Sequence, residues 1–167
     1  SFSADLPAIF QYSGGTTGVP KPAIGLHRNL VANTMQFKSW CDLQMAEETF
    51  LAAIPLYHVY GMVLAMVLGI RIAAQIVLIE DARNIEALLS AIMNYRVTFF
   101  PGVPNNYAAI IRNSEVREGK YNLRSVKACI SGSAPLHSQI KSEFEKLTGG
   151  KLVEGYGLSE APTATHC

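Results

Sequence analysis

Apolar positions along this chain fall in short runs separated by stretches with helical spacing. Ala8–Tyr12 and Pro22–Leu26 read as two short strands joined by a loop. His27–Cys41 places Leu30, Phe37, Trp40 and Cys41 at helical spacing, with Thr34 the polar position on that face. Phe50–Ile54 is a buried strand ending at Pro55, and Val59 to Ile70 reads as a core helix. Gln75–Ile79 has β-branched character and predicts a strand. Ile85, Leu88, Leu89 and Ile92 mark an amphipathic helix over Asn84–Tyr95. Arg96–Phe100 predicts a strand stopped by Pro101-Gly102, Pro104–Arg112 a short helix, and Ser114–Asn122 a polar surface loop. Val126–Ile130 is a further strand. Ile140, Phe144 and Leu147 share one face of the helix after it, which Gly149-Gly150 ends as a glycine cap, and Leu152–Glu154 is the last strand. From Phe50 onward, strand and helix alternate at short intervals. The expected fold is α/β, a mostly parallel sheet flanked by helices, with an N-terminal hairpin in front of it.

Charge and composition narrow the partners. The chain has 167 residues, 49% of them hydrophobic, and its 14 Lys+Arg against 13 Asp+Glu leave a formal charge of +1. No dense basic run is present, so nucleic acid is not an expected partner. Phe50 to Ile70 carries no charged side chain, but Pro55 and His58 interrupt it and the remainder is too short for a membrane span. Peripheral membrane association and a homo-oligomer are left open. Cys41, Cys129 and Cys167 are odd in number and widely spaced, which fits thiols of a reducing compartment, the cytoplasm, better than a disulfide frame or a zinc site. Both termini read as cut from something longer.

The chemistry gathers in four loops. Tyr12-Ser13-Gly14-Gly15-Thr16-Thr17-Gly18-Val19-Pro20-Lys21 combines glycines that free the backbone, hydroxyls and a cation, which suits a phosphate cradle. It is not a P-loop, because counting from Gly15 puts Pro20 at the second glycine and Pro22 at the Ser/Thr position. A surface turn is the plain alternative. Pro55–Gly61, Ser131–Pro135 and Gly155–Ala161 sit at the carboxyl ends of predicted strands, where open α/β sheets bind ligands. In them Tyr156 offers a flat face for a purine or a packing ring, and Glu160 is a magnesium ligand beside phosphates or a surface acid. His58 is a carboxylate-orienting imidazole or a core histidine.

Taken in order, Tyr12–Lys21, Pro55-Leu-Tyr-His58, Ser131-Gly-Ser-Ala-Pro135 and Gly155-Tyr-Gly-Leu-Ser-Glu160 resemble the motifs of the adenylate-forming superfamily, which includes acyl-CoA synthetases, luciferases and peptide-synthetase adenylation domains. The resemblance runs over the whole chain, and connecting segments such as Thr98–Pro104 are similar to medium- and long-chain fatty acyl-CoA ligases. It implies an enzyme that joins a carboxylate, a fatty acid in the leading reading, to the α-phosphate of ATP and passes the acyl group to coenzyme A. An aryl or amino-acid adenylating enzyme and a non-catalytic nucleotide-binding module are the alternatives. By the same resemblance Ser13, Gly15, Thr16, Thr17 and Lys21, with Gly18 in the same loop, hold the β- and γ-phosphates. Thr16 and Glu160 bind Mg2+. Tyr156, between Gly155 and Gly157, stacks on adenine, which Gly132, Ser133 and Ala134 line. Ser159 touches the α-phosphate, and His58 sits by the carboxylate with the apolar helix after it along the acyl group.

The sequence departs from the family pattern at three positions. Gly14 replaces the usual Ser or Thr, Ser159 replaces the commoner Thr, and Pro22 replaces a glycine, removing a donor and stiffening the loop. The family's ribose-binding Asp, its hinge and the lysine of its C-terminal lid domain have no counterpart before Cys167. Residues 1–167 are therefore expected to be one piece of the N-terminal AMP-binding domain, inactive without the rest.

Overall fold

The computed structural model describes residues 3–12 and 21–166. At its centre lies a five-stranded parallel sheet made of β3 (Thr49–Ala52), β4 (Gln75–Leu78), β5 (Phe99–Gly102), β6 (Ala128–Ser131) and β7 (Lys151–Glu154), in the order β4-β3-β5-β6-β7. Two separate antiparallel pairs complete the strands. They are β1 (Pro7–Tyr12) with β2 (Pro22–Leu26), and β8 (Tyr156–Leu158) with β9 (Ala161–His166).

Side chains alternate across the sheet with the period of two that a strand imposes. Phe50, Phe99 and Ile130 point to one face, where they pack with α1 (His27–Trp40) and a long helical segment. That segment runs from α2 (Val59–Gly61) through a π-helical stretch, Met62–Val67, into α3 (Leu68–Arg71). Gly69 lets α3 approach the sheet, since a Cβ there would lie 2.8 Å from Ile76. Leu51, Phe100, Cys129 and Leu152 point to the other face, against α4 (Ile85–Asn94), α5 (Pro104–Arg112) and α7 (Ser138–Thr148). The two cores make a layered helix–sheet–helix domain, as the alternation of elements predicts.

Several boundaries differ from expectation. β5 runs through Pro101-Gly102 instead of stopping at them. A proline lacks a ladder donor, but β3 pairs with β5 only at Phe50↔Phe99, so Pro101 lies past that ladder while still registering with Ile130 of β6. Within the expected loop after α5 there is a short helix, α6 (Ser114–Arg117), because Asn113 Oδ1 accepts from Val116 N–H and caps it. Residues 155–161, read as a loop, belong to the β8–β9 hairpin. Pro22 opens β2 opposite Tyr12, and a strand's first residue is a place where a missing donor is tolerated. Gly149 adopts φ +79°, the left-handed cap expected at the end of α7. Among the described residues no helix is long and apolar enough to cross a membrane.

Candidate active site

The sheet ends its strands on backbone that must turn sharply, and three of those turns meet. Ser131, at the end of β6, accepts from Gly155 N–H (2.8 Å), which follows β7, and Gly132 N–H donates to Gly102 O of β5 (3.1 Å). Glu154 Oε1 accepts from Leu136 N–H (3.3 Å), tying the end of β7 to the turn before α7. Ser133 sits in that turn at φ 69°, a left-handed angle that few non-glycine residues adopt. Above these turns lies a cavity of about 260 Å³.

Its rim and walls come from the motifs singled out by sequence. His58 follows β3, Gly132 and Ser133 follow β6, and Gly155, Tyr156, Gly157 and Ser159 follow β7; all border the cavity. Its floor is apolar, with Val59, Leu64 and Ile130. His58 precedes α2 and its Nδ1 accepts from Tyr60 N–H (3.2 Å), capping the helix. A neutral imidazole that accepts at Nδ1 carries its proton on Nε2, so the ring offers an N–H donor. Tyr156 is 59% exposed, its ring 6.1 Å from the ring of His166 across the hairpin.

Two residues beyond those expectations also shape the cavity. Tyr60 is 8% exposed, and its hydroxyl reaches the carbonyls of Ile130 (2.6 Å) and Gly102 (3.0 Å). Its ring fills the space that a side chain at position 132 would need, for a Cβ on Gly132 would lie 3.0 Å from it. Thr163 is 4% exposed, and its Oγ1 has no hydrogen-bond partner among the described residues. Tyr60 was discoverable as the aromatic two residues after His58, whereas nothing in the sequence marked Thr163.

Other expected residues lie elsewhere. Ala134 is exposed and does not border the cavity. Glu160 borders a different cleft, on the side of the hairpin that faces β2 and α1, with Ile24 and Asn29. Lys21 is exposed just before β2 and makes no ion pair among the described residues. Ser13, Gly14, Gly15, Thr16, Thr17 and Gly18 lie outside the described residues. Among the described residues no three His, Cys, Asp or Glu side chains come together as a metal-binding group. A single carboxylate such as Glu160 fits Mg2+ only with phosphate oxygens and waters completing the shell.

An open parallel sheet with its cleft at the carboxyl ends, walled by a glycine turn, an aromatic and hydroxyls, defines a ligand-binding α/β domain of the kind that takes nucleotides. The chain belongs to the AMP-binding enzyme family, which matches it over residues 1–167. It is 42% identical over 160 residues to a long-chain-fatty-acid–CoA ligase of Bacillus subtilis (strain 168), covering 95% of this chain and 28% of that protein. A long-chain-fatty-acid–CoA ligase of Salmonella typhimurium is 35% identical over 155 residues, covering 92% of this chain and 27% of its own length. The fold is shared with apo MatB from Rhodopseudomonas palustris, at a TM-score of 0.85 and 24% identity over 99% of this chain and 32% of that one. This chain thus spans little more than a quarter of the curated relatives it matches.

Proposed function

We propose that this chain forms the nucleotide- and carboxylate-binding part of an ATP-dependent acyl-CoA ligase acting on a fatty acid. The observation that carries this reading is the cavity itself, where His58, Gly132, Tyr156 and Ser159 meet although they are far apart in sequence. The fatty acid and coenzyme A come from the relatives' names, and the apolar floor of Val59, Leu64 and Ile130 suits an acyl group.

In this reading the carboxylate oxygen attacks the α-phosphorus of ATP and pyrophosphate leaves. The coenzyme A thiol then attacks the acyl carbon and AMP leaves. Tyr156 stacks on adenine beside the backbone of Gly132 and Ser133, and Ser159 donates to the α-phosphate. His58 Nε2–H orients the carboxylate. Ser13, Gly15, Thr16, Thr17 and Lys21 hold the outer phosphates, where fixed donors stabilise charge that grows in the transition state. Glu160 and Thr16 are the side chains that would hold Mg2+, which supplies charge neutralisation on phosphate oxygens. The position of Glu160 beside β2, which Lys21 immediately precedes, supports that pairing. The thiols and the lack of a spanning helix among the described residues fit a cytoplasmic enzyme.

The test is fatty-acid-dependent release of pyrophosphate, and acyl-CoA formation, by the full-length protein carrying this chain. Lys21→Ala and Glu160→Ala are each expected to lower turnover by about 10²-fold, the scale of losing one transition-state donor. Unchanged turnover removes the assigned roles, and a full-length protein that activates only aryl or amino acids overturns the fatty-acid reading. Residues 1–167 alone, given ATP, Mg2+ and fatty acid, are expected to trap no hydroxamate.

A further inference from the structure

The hairpin that carries Tyr156 and Ser159 has little support of its own. β8 and β9 pair only with each other among the described strands, and an isolated two-stranded hairpin is marginal in water. All three residues of β8 are exposed. Ala164 packs against the core on that side of the sheet, and one side chain of α1 adds the polar ties. Asn33 Oδ1 accepts from Thr163 N–H (2.9 Å), and Asn33 Nδ2 donates to the carbonyl of Ala164 (3.0 Å). One carboxamide therefore serves two consecutive residues of β9. Nδ2 also donates to Gln36 Oε1 (3.2 Å) on the same helix. The amide orientation follows from these partners, because turning it over would set donor against donor at Thr163 and acceptor against acceptor at Ala164.

The clamp has a further connection. Thr163 and Ala164 border the cavity, and α1 follows β2 with no residue between them, Leu26 ending one and His27 starting the other. The hairpin that carries Lys21 and the hairpin that carries Tyr156 are thus joined through one helix and one side chain. We propose that Asn33 is a positioning residue, locking the β8–β9 hairpin to α1 so that Tyr156 and Ser159 are held at the cavity in a fixed relation to the β1–β2 hairpin. Its consequence for ligand binding rests on the reading of the cavity as a nucleotide site.

The test compares wild type, Asn33→Ala and Gln36→Ala in the full-length protein. Amide hydrogen exchange is followed over 156–166 and over the five-stranded sheet, together with the ATP dissociation constant and the separate KM values for ATP and carboxylate. Asn33→Ala is expected to speed exchange at Thr163 and its neighbours about tenfold, to leave the sheet unchanged, and to weaken ATP about tenfold, the effect of losing two modest hydrogen bonds. The KM for ATP rises by the same factor and that for the carboxylate stays within about twofold. Gln36→Ala moves none of these. Faster exchange throughout the sheet makes Asn33 a general structural residue and overturns the proposal. So does a loosened hairpin with unchanged ATP affinity, or hairpin exchange that does not move. Wild-type protein that binds no ATP overturns the functional reading and the ligand half of this one, while the exchange comparison still decides whether Asn33 holds the hairpin.

Discussion

Two tyrosine hydroxyls converge on the carbonyl of Ile130, Tyr60 at 2.6 Å and Tyr107 at 2.9 Å, at the end of the strand that leads into Gly132. Burial holds the Tyr107 hydroxyl well above its ordinary 10.0, with the neighbouring Cys129 and Tyr60 adding to the effect. The thiol of Cys129, also buried, is pushed far above 9.0. Both groups stay protonated in the fold and ionise only when the chain unfolds, so the unfolded state binds fewer protons at high pH. Stability contributed this way is complete below the unfolded values and is lost as pH rises past them. The expected result in urea unfolding is a fall of about 1.4 kcal/mol per pH unit above the ordinary thiol value, steepening to about twice that once tyrosine ionises. Cys129→Ala removes the first slope and keeps the second, and an equal slope in that variant refutes the assignment. Tyr107→Phe is expected to cost about 1 kcal/mol at neutral pH. At this scale the sequence announced the residues with unusual chemistry, such as His58 and Tyr156, but not those whose importance lies in what they touch. Asn33 reads as one more polar position on a helix, since its partners lie 130 and 131 residues away.

Elements were legible where one periodicity ran long enough. α4 and α5 follow their spacing, and Asn84 Oδ1 caps α4 through Ala87 N–H as an N-cap should. The segment from Val59 onward is helical as expected, but its middle is π-helical, and an unbroken apolar run carries no mark of that change of winding. The β8–β9 hairpin was missed because Gly155-Tyr-Gly-Leu-Ser reads as a loop, and its ladder is irregular at Gly157. That glycine supplies a sharp contrast. A Cβ at Gly157 would lie 2.0 Å from the carbonyl oxygen of Thr163, which is backbone and cannot yield, so Gly157→Ala must open the hairpin. A Cβ at Gly149 would meet only Arg124 Nη1, at 3.1 Å, and the cost there comes from the left-handed φ. Gly149→Ala is expected to lose about 1–2 kcal/mol of stability with ATP affinity intact. Gly157→Ala is expected to weaken ATP at least about tenfold with little change in thermal midpoint. Calorimetry beside nucleotide titration separates the two, and matching effects from both would refute the distinction.

The whole molecule divides its labour between the two ends of the sheet. At the amino ends, the carboxylate of Glu48, 4% exposed, accepts from Thr98 Oγ1 and Gln44 N–H and lies 3.5 Å from Lys127 Nζ, stapling the starts of β3, β5 and β6. Glu48→Ala is expected to cost about 1–3 kcal/mol, the loss of a buried carboxylate's hydrogen bonds with Thr98 and Gln44, and to leave ATP affinity unchanged. A change in both would tie the staple to the site. The parallel sheet was readable because strands and helices alternate, and the end at which its cavity opens was expected from that rule. The strand order and the separation of Glu160 from the cavity were not, because both depend on which strands become neighbours. That order also has a consequence in time. Strand β7 sits at the edge of the sheet and is the last of the five to leave the ribosome. Until it arrives, β6 presents a bare edge able to pair with other chains. The same few residues that cover this edge lead into Gly155 and Tyr156 at the cavity, so one step of synthesis both hides the edge of β6 and begins the cleft.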